Sequence, residues 1–558
     1  MRDGKYRLLG WEDRSLPTQL SRPQAMLRRS FLGAAAAVGA ASFLLTRPAL
    51  AQSARQRTLR FVPQADVTIL DPLTTSAYVT RNHALLVFDQ LFAIDGDLRP
   101  QPQMVEGYTV EDDGKRWTFR MREGLKFHDG EPVRGRDCVA SIRRWAPRDN
   151  LGQLLLARTD AMEAPDDRSF TIRLNRPYGL MLATLSKLGP PALLILPERL
   201  AVLDPKQQLP EVVGSGPFRF NARERIIGAR VVYDRNPDYV PRADGEVSGV
   251  AGPKRVHFDR VEWTTMPDPS TAAAALKNGE VDWWENPIND LLPTLGADRG
   301  IVTPLSGRLG TMGTGVMNHL HPPFDKPAVR RVLLEALSQE DFMTAINGTD
   351  PNLIRTGVGL FAPDTAMASD VGLDALTRPR DLERSKRDLI AAGYKGERVV
   401  LLAAGDLPRL AAMGDVMNDL LQRLGMNVQH AVSDWGSMVT RRANKAPPDQ
   451  GGWNIFCTDW SGFDMLNPAV EQVLRCGGVQ TGFFGWPDLP QIEAMRGAWI
   501  EAPDEDGRRK IAHDIQALAM QEVPYLPLGQ YLSRTAYRDD LRDVVKNLSV
   551  FWNVRRAS

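Results

Sequence analysis

Between residues 399 and 432 the hydrophobic period of the chain changes twice, and this restricts the fold more than any other feature of the sequence. Residues 399–402 form a short, continuous apolar run of strand type. Met413, Val416, Met417, Leu420, Leu421 and Leu424 then recur at the spacing of one helix face. Gly425 fits the left-handed position that ends helices, and residues 427–432 return to a strand pattern. A strand, a helix and a strand in that order predict parallel pairing, so the chain is α/β. Elsewhere, Arg116–Met121 alternates large apolar and polar residues, the period of a half-buried strand. Asp129-Gly130 is a turn signal, and Asp137 is placed to cap a helix over residues 138–145. Pro269 opens an Ala-rich helix that Gly279 stops, and residues 280–284 read as a strand. Val329, Val332, Leu333, Ala336 and Leu337 make another helical stripe. A chain of 558 residues exceeds a single core, yet no repeat, linker or low-complexity tract divides it. Its domains are therefore expected to be interwoven.

The first 51 residues read as an export leader. Arg28-Arg29, followed by Ser30, Phe31 and Leu32, resembles the twin-arginine motif. Residues 31–45 are uncharged, but 15 residues fall short of the roughly 20 that span a membrane. Ala49-Leu50-Ala51 then offers small residues where a signal peptidase reads, with the cut expected after Ala51. Residues 1–25 are long for a leader, and Met26 offers an alternative start. The mature protein is expected to be exported, soluble and periplasmic, with the twin-arginine translocase as its partner during export.

Charge and motifs exclude several functions. Residues 1–51 hold eight Lys/Arg against three Asp/Glu, which leaves 61 against 65 in the remainder. A slightly acidic body is not a nucleic-acid trap. Cys138, Cys457 and Cys476 allow at most one disulfide and no four-cysteine metal site. The sequence contains no phosphate loop, HExxH or CxxC. The cluster Gly310, Gly313, Gly315 lacks dinucleotide spacing and reads as a strand-to-strand passage, while Gly214-Ser215-Gly216-Pro217 is no nucleophile elbow. His319-Leu320-His321 would place two imidazoles on one face of a strand, but no third ligand follows at a metal spacing, so solvated or hydrogen-bonded histidines are expected. An enzyme of this size usually carries a sharper motif, so a binding protein without metal or cofactor is the expectation.

A series of segments then points to a family. Leu125-Lys126-Phe127-His128-Asp129-Gly130-Glu131-Pro132, with Asp137 and Ser141-Ile142-Arg143-Arg144, resembles the signature of extracellular solute-binding proteins of the peptide/nickel class (family 5). Leu70-Asp71-Pro72, Phe88–Phe92, Gly214–Phe218, Asn236–Tyr239, Asn278–Asp282, Pro322–Asp325, Ala391–Tyr394 and Pro524–Leu528 match in the same order. The resemblance implies a two-lobed periplasmic binding protein of type II, cluster C-like, with a ligand cleft between lobes that close on a hinge. Mapped onto this chain, lobe one is residues 52–308, continued by 528–558, and lobe two is residues 309–527. The resemblance further implies a receptor that hands peptides to the permease subunits of an ATP-binding-cassette importer, with no cofactor, acting as a monomer. Nickel chelates, glutathione, opines and oligosaccharides are the family's alternative solutes, and a twin-arginine-exported enzyme is the alternative of another class.

The family's ligand-facing positions map onto Ser76, Tyr78, Trp435, Trp460, Asp464 and Trp486. In peptide-binding relatives an aspartate four residues before a proline pairs with the peptide ammonium, and Asp464 stands four before Pro468. Counted forward from Trp460 the register slips by one, so a surface-loop aspartate stays open as the other reading. For the tryptophans the other reading is core packing. Cys457 and Cys476 fall in the same lobe by this mapping and are the expected disulfide pair in an oxidising compartment, against three free thiols.

Overall fold

The computed structural model describes residues 57–557. The leader, with Arg28, Arg29 and Ala51, lies outside the described residues. Thr58–Val62 founds a seven-stranded sheet because Leu59 and Phe61 both point into a core of aromatic rings. The Phe61 ring lies 5.3 Å from Trp263, 5.1 Å from Trp283 and 4.9 Å from Phe551. Thr58–Val62 runs parallel to both neighbours, Arg260–Thr264 and Trp283–Trp284. Arg230–Arg235 and Phe218–Phe220 extend one edge; Ala536–Arg538 and Ile301–Val302 extend the other. The strand expected over residues 280–284 is confined to Trp283–Trp284. Asp282, just before it, accepts the Arg60 amide at 2.8 Å and the Arg60 guanidinium at 2.7 Å on its carboxylate.

A second sheet of six strands has the order Ile354–Arg355, Leu526–Tyr531, Thr311–Met317, Ile455–Ser461, Arg398–Ala404, Asn427–Ser433. Arg398–Ala404 pairs parallel with Asn427–Ser433 through the helix Pro408–Arg423, the β-α-β unit of the sequence pattern. Of the glycine cluster expected at a strand-to-strand passage, Gly310 ends the passage, while Gly313 and Gly315 lie within the strand Thr311–Met317 that follows it. A Cβ at Gly313 would lie 3.1 Å from the Leu528 Cβ and 3.2 Å from the Met413 sulfur, so the missing side chains let the helix and the neighbouring strand approach closely.

A third, antiparallel sheet orders Val105–Glu111, Arg116–Met121, Ser169–Leu174 and Thr159–Asp166. The helix Gly135–Trp145 packs on it. Asp137 is not the N-cap but sits one turn in, accepting the Arg134 amide at 2.7 Å and the Glu198 amide at 2.7 Å.

Two strand-like segments join the large sheets. Residues 303–310 leave the first sheet and residues 532–535 return to it, side by side, with Ser306 N donating to Ser533 O at 2.8 Å and Thr535 N to Pro304 O at 3.1 Å. Leu526–Tyr531 is still a strand of the second sheet, so the return begins after Tyr531, a few residues past 528.

Cys457 and Cys476 do not form the expected disulfide: all three cysteines are buried and free. Cys457 lies in the strand Ile455–Ser461, opposite Gly315. Cys476 belongs to a loop held by its amide bond to Glu493 (2.6 Å) and by Leu489 N donating to its carbonyl (2.9 Å). His319 and His321 lie beyond the strand's end, bonded to the carbonyls of Pro524 (3.2 Å) and Lys445 (2.9 Å). Burial pushes the His319 imidazole down to about 3. Among the described residues, no group of three His, Cys, Asp or Glu is placed to hold a metal, and no helix is long and apolar enough to cross a membrane.

Candidate binding cleft

Asp71 prepares one wall of the cleft. Buried in the loop before the helix Tyr78–Val87, it accepts the Leu73 amide (3.0 Å), the Leu209 amide (3.1 Å) and the Arg144 guanidinium (2.9 Å). With the loop fixed, the first turn of the helix presents Tyr78 to the turn that follows the strand Ile455–Ser461. The opposite wall comes from the strand Ile455–Ser461, which tightens into the turn Gly462–Met465 and carries Phe463 and Asp464 back across the seam.

The two walls meet at one hydroxyl. Tyr78 Oη donates to Asp464 Oδ2 at 2.8 Å and accepts from the Ser461 amide at 2.9 Å. Two residues that the family resemblance singled out, 386 positions apart, are thus bonded directly. Asp464 is 7% exposed. Burial pushes its carboxyl above the usual carboxylate range, opposed by the nearby Lys187 charge and by the Tyr78 hydrogen bond. Burial and the Asp464 charge together hold the Tyr78 hydroxyl well above its ordinary value. Lys187 itself donates to Asp149 Oδ2 at 2.9 Å and to the Gly189 carbonyl at 3.2 Å. Gly189 backs onto Asp464, and a Cβ there would collide with Oδ1 of the carboxylate.

Phe463 lines two cavities between the lobes. One encloses about 140 Å³ beside the crossing segments and is bordered by Gln64, Tyr78, Arg81, Glu285 and Ser306. The other encloses about 100 Å³ and is bordered by Lys187, Gly189, Leu466, Val470 and Trp499. Glu285 is fully engaged, accepting the Gln64 amide (2.8 Å), Asn82 Nδ2 (2.9 Å) and Ser549 Oγ (2.8 Å). Burial raises its carboxyl, and these bonds work against that rise.

The other expected site residues divide. Ser76 is exposed two residues before Tyr78. Trp435 and Trp460 are half-buried ends of one run of rings in the second lobe. The Arg442 guanidinium lies 5.6 Å from the Trp435 ring and 4.6 Å from Phe484; Phe484 meets Phe483 at 5.1 Å, and Phe483 meets Trp460 at 5.7 Å. Trp486 departs from the expectation. It is 5% exposed and packs 5.9 Å from Trp453, because its loop turns inward at a positive φ. Arg81, Lys187, Ser461 and Phe463 were not foreseen. Arg81 had a signal in the charged and polar run Arg81-Asn82-His83 inside an otherwise apolar helix. Lys187 had none, since its partners are fixed only by tertiary structure.

The sequence profile of the bacterial extracellular solute-binding proteins, family 5, middle region, matches residues 99–475. A relative from Sinorhizobium fredii, described as a probable peptide ABC transporter periplasmic-binding protein, is 36% identical over 534 residues, covering 95% of this chain and 99% of its own. Among solved structures, a dipeptide-binding protein from a Pseudoalteromonas species in complex with Met-Leu aligns with a TM-score of 0.74 at 17% identity, over 89% of this chain and 100% of its own. A binding protein from Agrobacterium tumefaciens in complex with agropinic acid gives 0.74 at 20% identity, over 90% and 99%. These two likenesses establish the two-lobed periplasmic binding-protein fold.

Proposed function

The chain belongs to the bacterial extracellular solute-binding proteins of family 5, and from that premise we propose that it captures short peptides between its lobes for an ATP-binding-cassette importer. The observation that carries this reading is the end-to-end match to a probable peptide ABC transporter periplasmic-binding protein. The cleft supports it. Cavities of about 140 and 100 Å³ are small beside the roughly 300–1,000 Å³ of drug-sized sites, which favours a solute of two or three residues. In this reading the peptide lies extended against protein strands, paired through its backbone as in strand addition, so side-chain selectivity is loose. Asp464 takes its ammonium group in place of the Tyr78 hydroxyl, and the rings from Trp435 to Trp460 form the wall facing its side chains.

The receptor works as a monomer, without catalysis, and docks on the permease subunits once closed. It reaches the periplasm through the twin-arginine translocase and is cut after Ala51. Replacing Arg28 and Arg29 with lysine strands the precursor in the cytoplasm; normal periplasmic yield would remove the twin-arginine route. Calorimetric titration of the mature chain with di- and tripeptides tests the receptor role. Saturable one-to-one binding is expected. Peptides that give no heat, beside an opine or a nickel chelate that does, would replace the peptide reading with the non-peptide one.

A further inference from the structure

Arginines tie the third sheet to the second lobe through contacts that involve neither the crossing segments nor Asp464. Arg158 lies in the turn between the helix Asn150–Leu156 and the strand Thr159–Asp166, and it is 4% exposed. Its guanidinium sits 5.2 Å from the Tyr178 ring, and Nη1 donates to the Leu154 carbonyl at 3.0 Å. Nη2 donates to Glu501 Oε1, and among the described residues Glu501 is the only carboxylate paired with this cation. Arg176 adds a second positive charge 3.6 Å from the same oxygen. Arg475 Nη1 also crosses over, donating to Asn150 Oδ1 at 3.2 Å. Arg508 approaches Gly179 so closely that a Cβ there would lie 2.7 Å from its Nη2. Glu501, by contrast, is badly placed for its own helix. It is the last residue of Pro490–Glu501, where free carbonyls make the helix end negative, and no basic residue occupies that last turn. The helix gives no reason for a carboxylate at this position; the two arginines facing it do.

We propose that Glu501, held between Arg158 and Arg176, is an electrostatic latch that opposes separation of the lobes. The inference rests on the two-lobed fold and not on which solute is bound. Parting the lobes here takes the Arg158 cation from its carboxylate and leaves Glu501 at the unfavourable end of its helix. Arg158 is nearly buried, so the pair is screened less than a surface ion pair, while Glu501, 46% exposed, leaves it sensitive to salt. The latch sets how readily the empty receptor opens, and it loosens as ionic strength rises.

The test is hydrogen exchange read by mass spectrometry on the mature chain without solute, as wild type, Glu501→Gln and Glu501→Arg, at low and high salt. At low salt, residues 176–185 and 499–508 should both exchange about three- to tenfold faster in Glu501→Gln than in the wild type. Glu501→Arg, which sets three positive charges together, should be faster still. High salt should speed the wild type toward Glu501→Gln and leave Glu501→Gln unmoved. The core strands Arg398–Ala404 and Leu526–Tyr531 should keep the wild-type rate throughout. Speeding confined to residues 499–508 would be fraying of the helix end and would overturn the latch. Speeding shared by the core strands, a general loss of stability, would overturn it too. Should neither variant fold, the salt series on the wild type still decides: exchange of residues 176–185 and 499–508 that ignores salt overturns the latch.

Discussion

At the scale of single residues, the account turns on what Asp464 holds. Its Oδ2 accepts the Tyr78 hydroxyl. A peptide ammonium offers a stronger, charge-assisted bond in the same desolvated place. Asp464→Ala would leave that ammonium buried without a partner, at a cost of about 2–5 kcal/mol. At 1.4 kcal/mol per decade, the expected loss of peptide affinity is roughly 30-fold or more. N-acetylated peptides should bind the wild type correspondingly weakly, and equal affinity in calorimetry would remove Asp464 as the anchor. Gly189 tests the same spot from behind. A Cβ there must push the carboxylate aside, so Gly189→Ala should weaken peptide binding by about fivefold or more, and whatever overpacking remains lowers the melting temperature as well. Unchanged affinity would show that the approach of Gly189 to Asp464 does not matter. His319 makes a separate prediction about acid stability. Its imidazole is held neutral to about 3 in the fold but has an ordinary value near 6.5 in the unfolded chain. Between those values the unfolded state binds the extra proton, so its stabilising contribution is present above pH 6.5 and is lost as pH falls. From pH 7 to 5, wild type should lose about 2 kcal/mol relative to His319→Gln in urea unfolding. Parallel losses in the two proteins would contradict a histidine held neutral in the fold.

At the scale of elements, the segments that betrayed the family prove to be joints of the scaffold. The carbonyl of Glu131 accepts the Phe127 amide (2.8 Å), the His128 amide reaches the Gly214 carbonyl (2.8 Å), and Asn236 Nδ2 reaches the Gly216 carbonyl (3.0 Å). The Phe88–Phe92 segment carries Asp89, which binds Lys254 (2.7 Å) and Tyr239 (2.9 Å) with ion and counter-ion both fully buried. Asp89→Ala would strand Lys254, and a loss of about 3–5 kcal/mol in unfolding free energy is expected. A loss below 1 kcal/mol would mean that water reaches the lysine. These contacts explain what the sequence made legible. The β-α-β unit showed itself because its pattern is local and long. The third sheet showed itself only at Arg116–Met121, since two of its four strands, Val105–Glu111 and Thr159–Asp166, carry exposed, weakly alternating faces. Asp464 and Tyr78 were readable through motifs. Arg81 showed only as a charge inside an apolar helix, and Lys187 not at all, because its partner Asp149 is supplied by distant chain.

At the scale of the whole molecule, two sheets are joined by two adjacent crossing segments, and everything assigned to the solute lies at or beside their seam. The arrangement suits a hinge: few backbone bonds tie residues 303–310 to residues 532–535, while each lobe keeps its own sheet. Across the seam the Tyr78 hydroxyl meets Ser461 and Asp464. The central claim is that this seam holds a short peptide. Native mass spectrometry of the mature chain, mixed with equal amounts of di- and tripeptides, a nickel–histidine chelate, an opine and an oligosaccharide, tests it most directly. The account predicts a single one-to-one adduct whose mass increments are those of the di- and tripeptides. Adducts of the chelate, opine or oligosaccharide without any peptide adduct would contradict it.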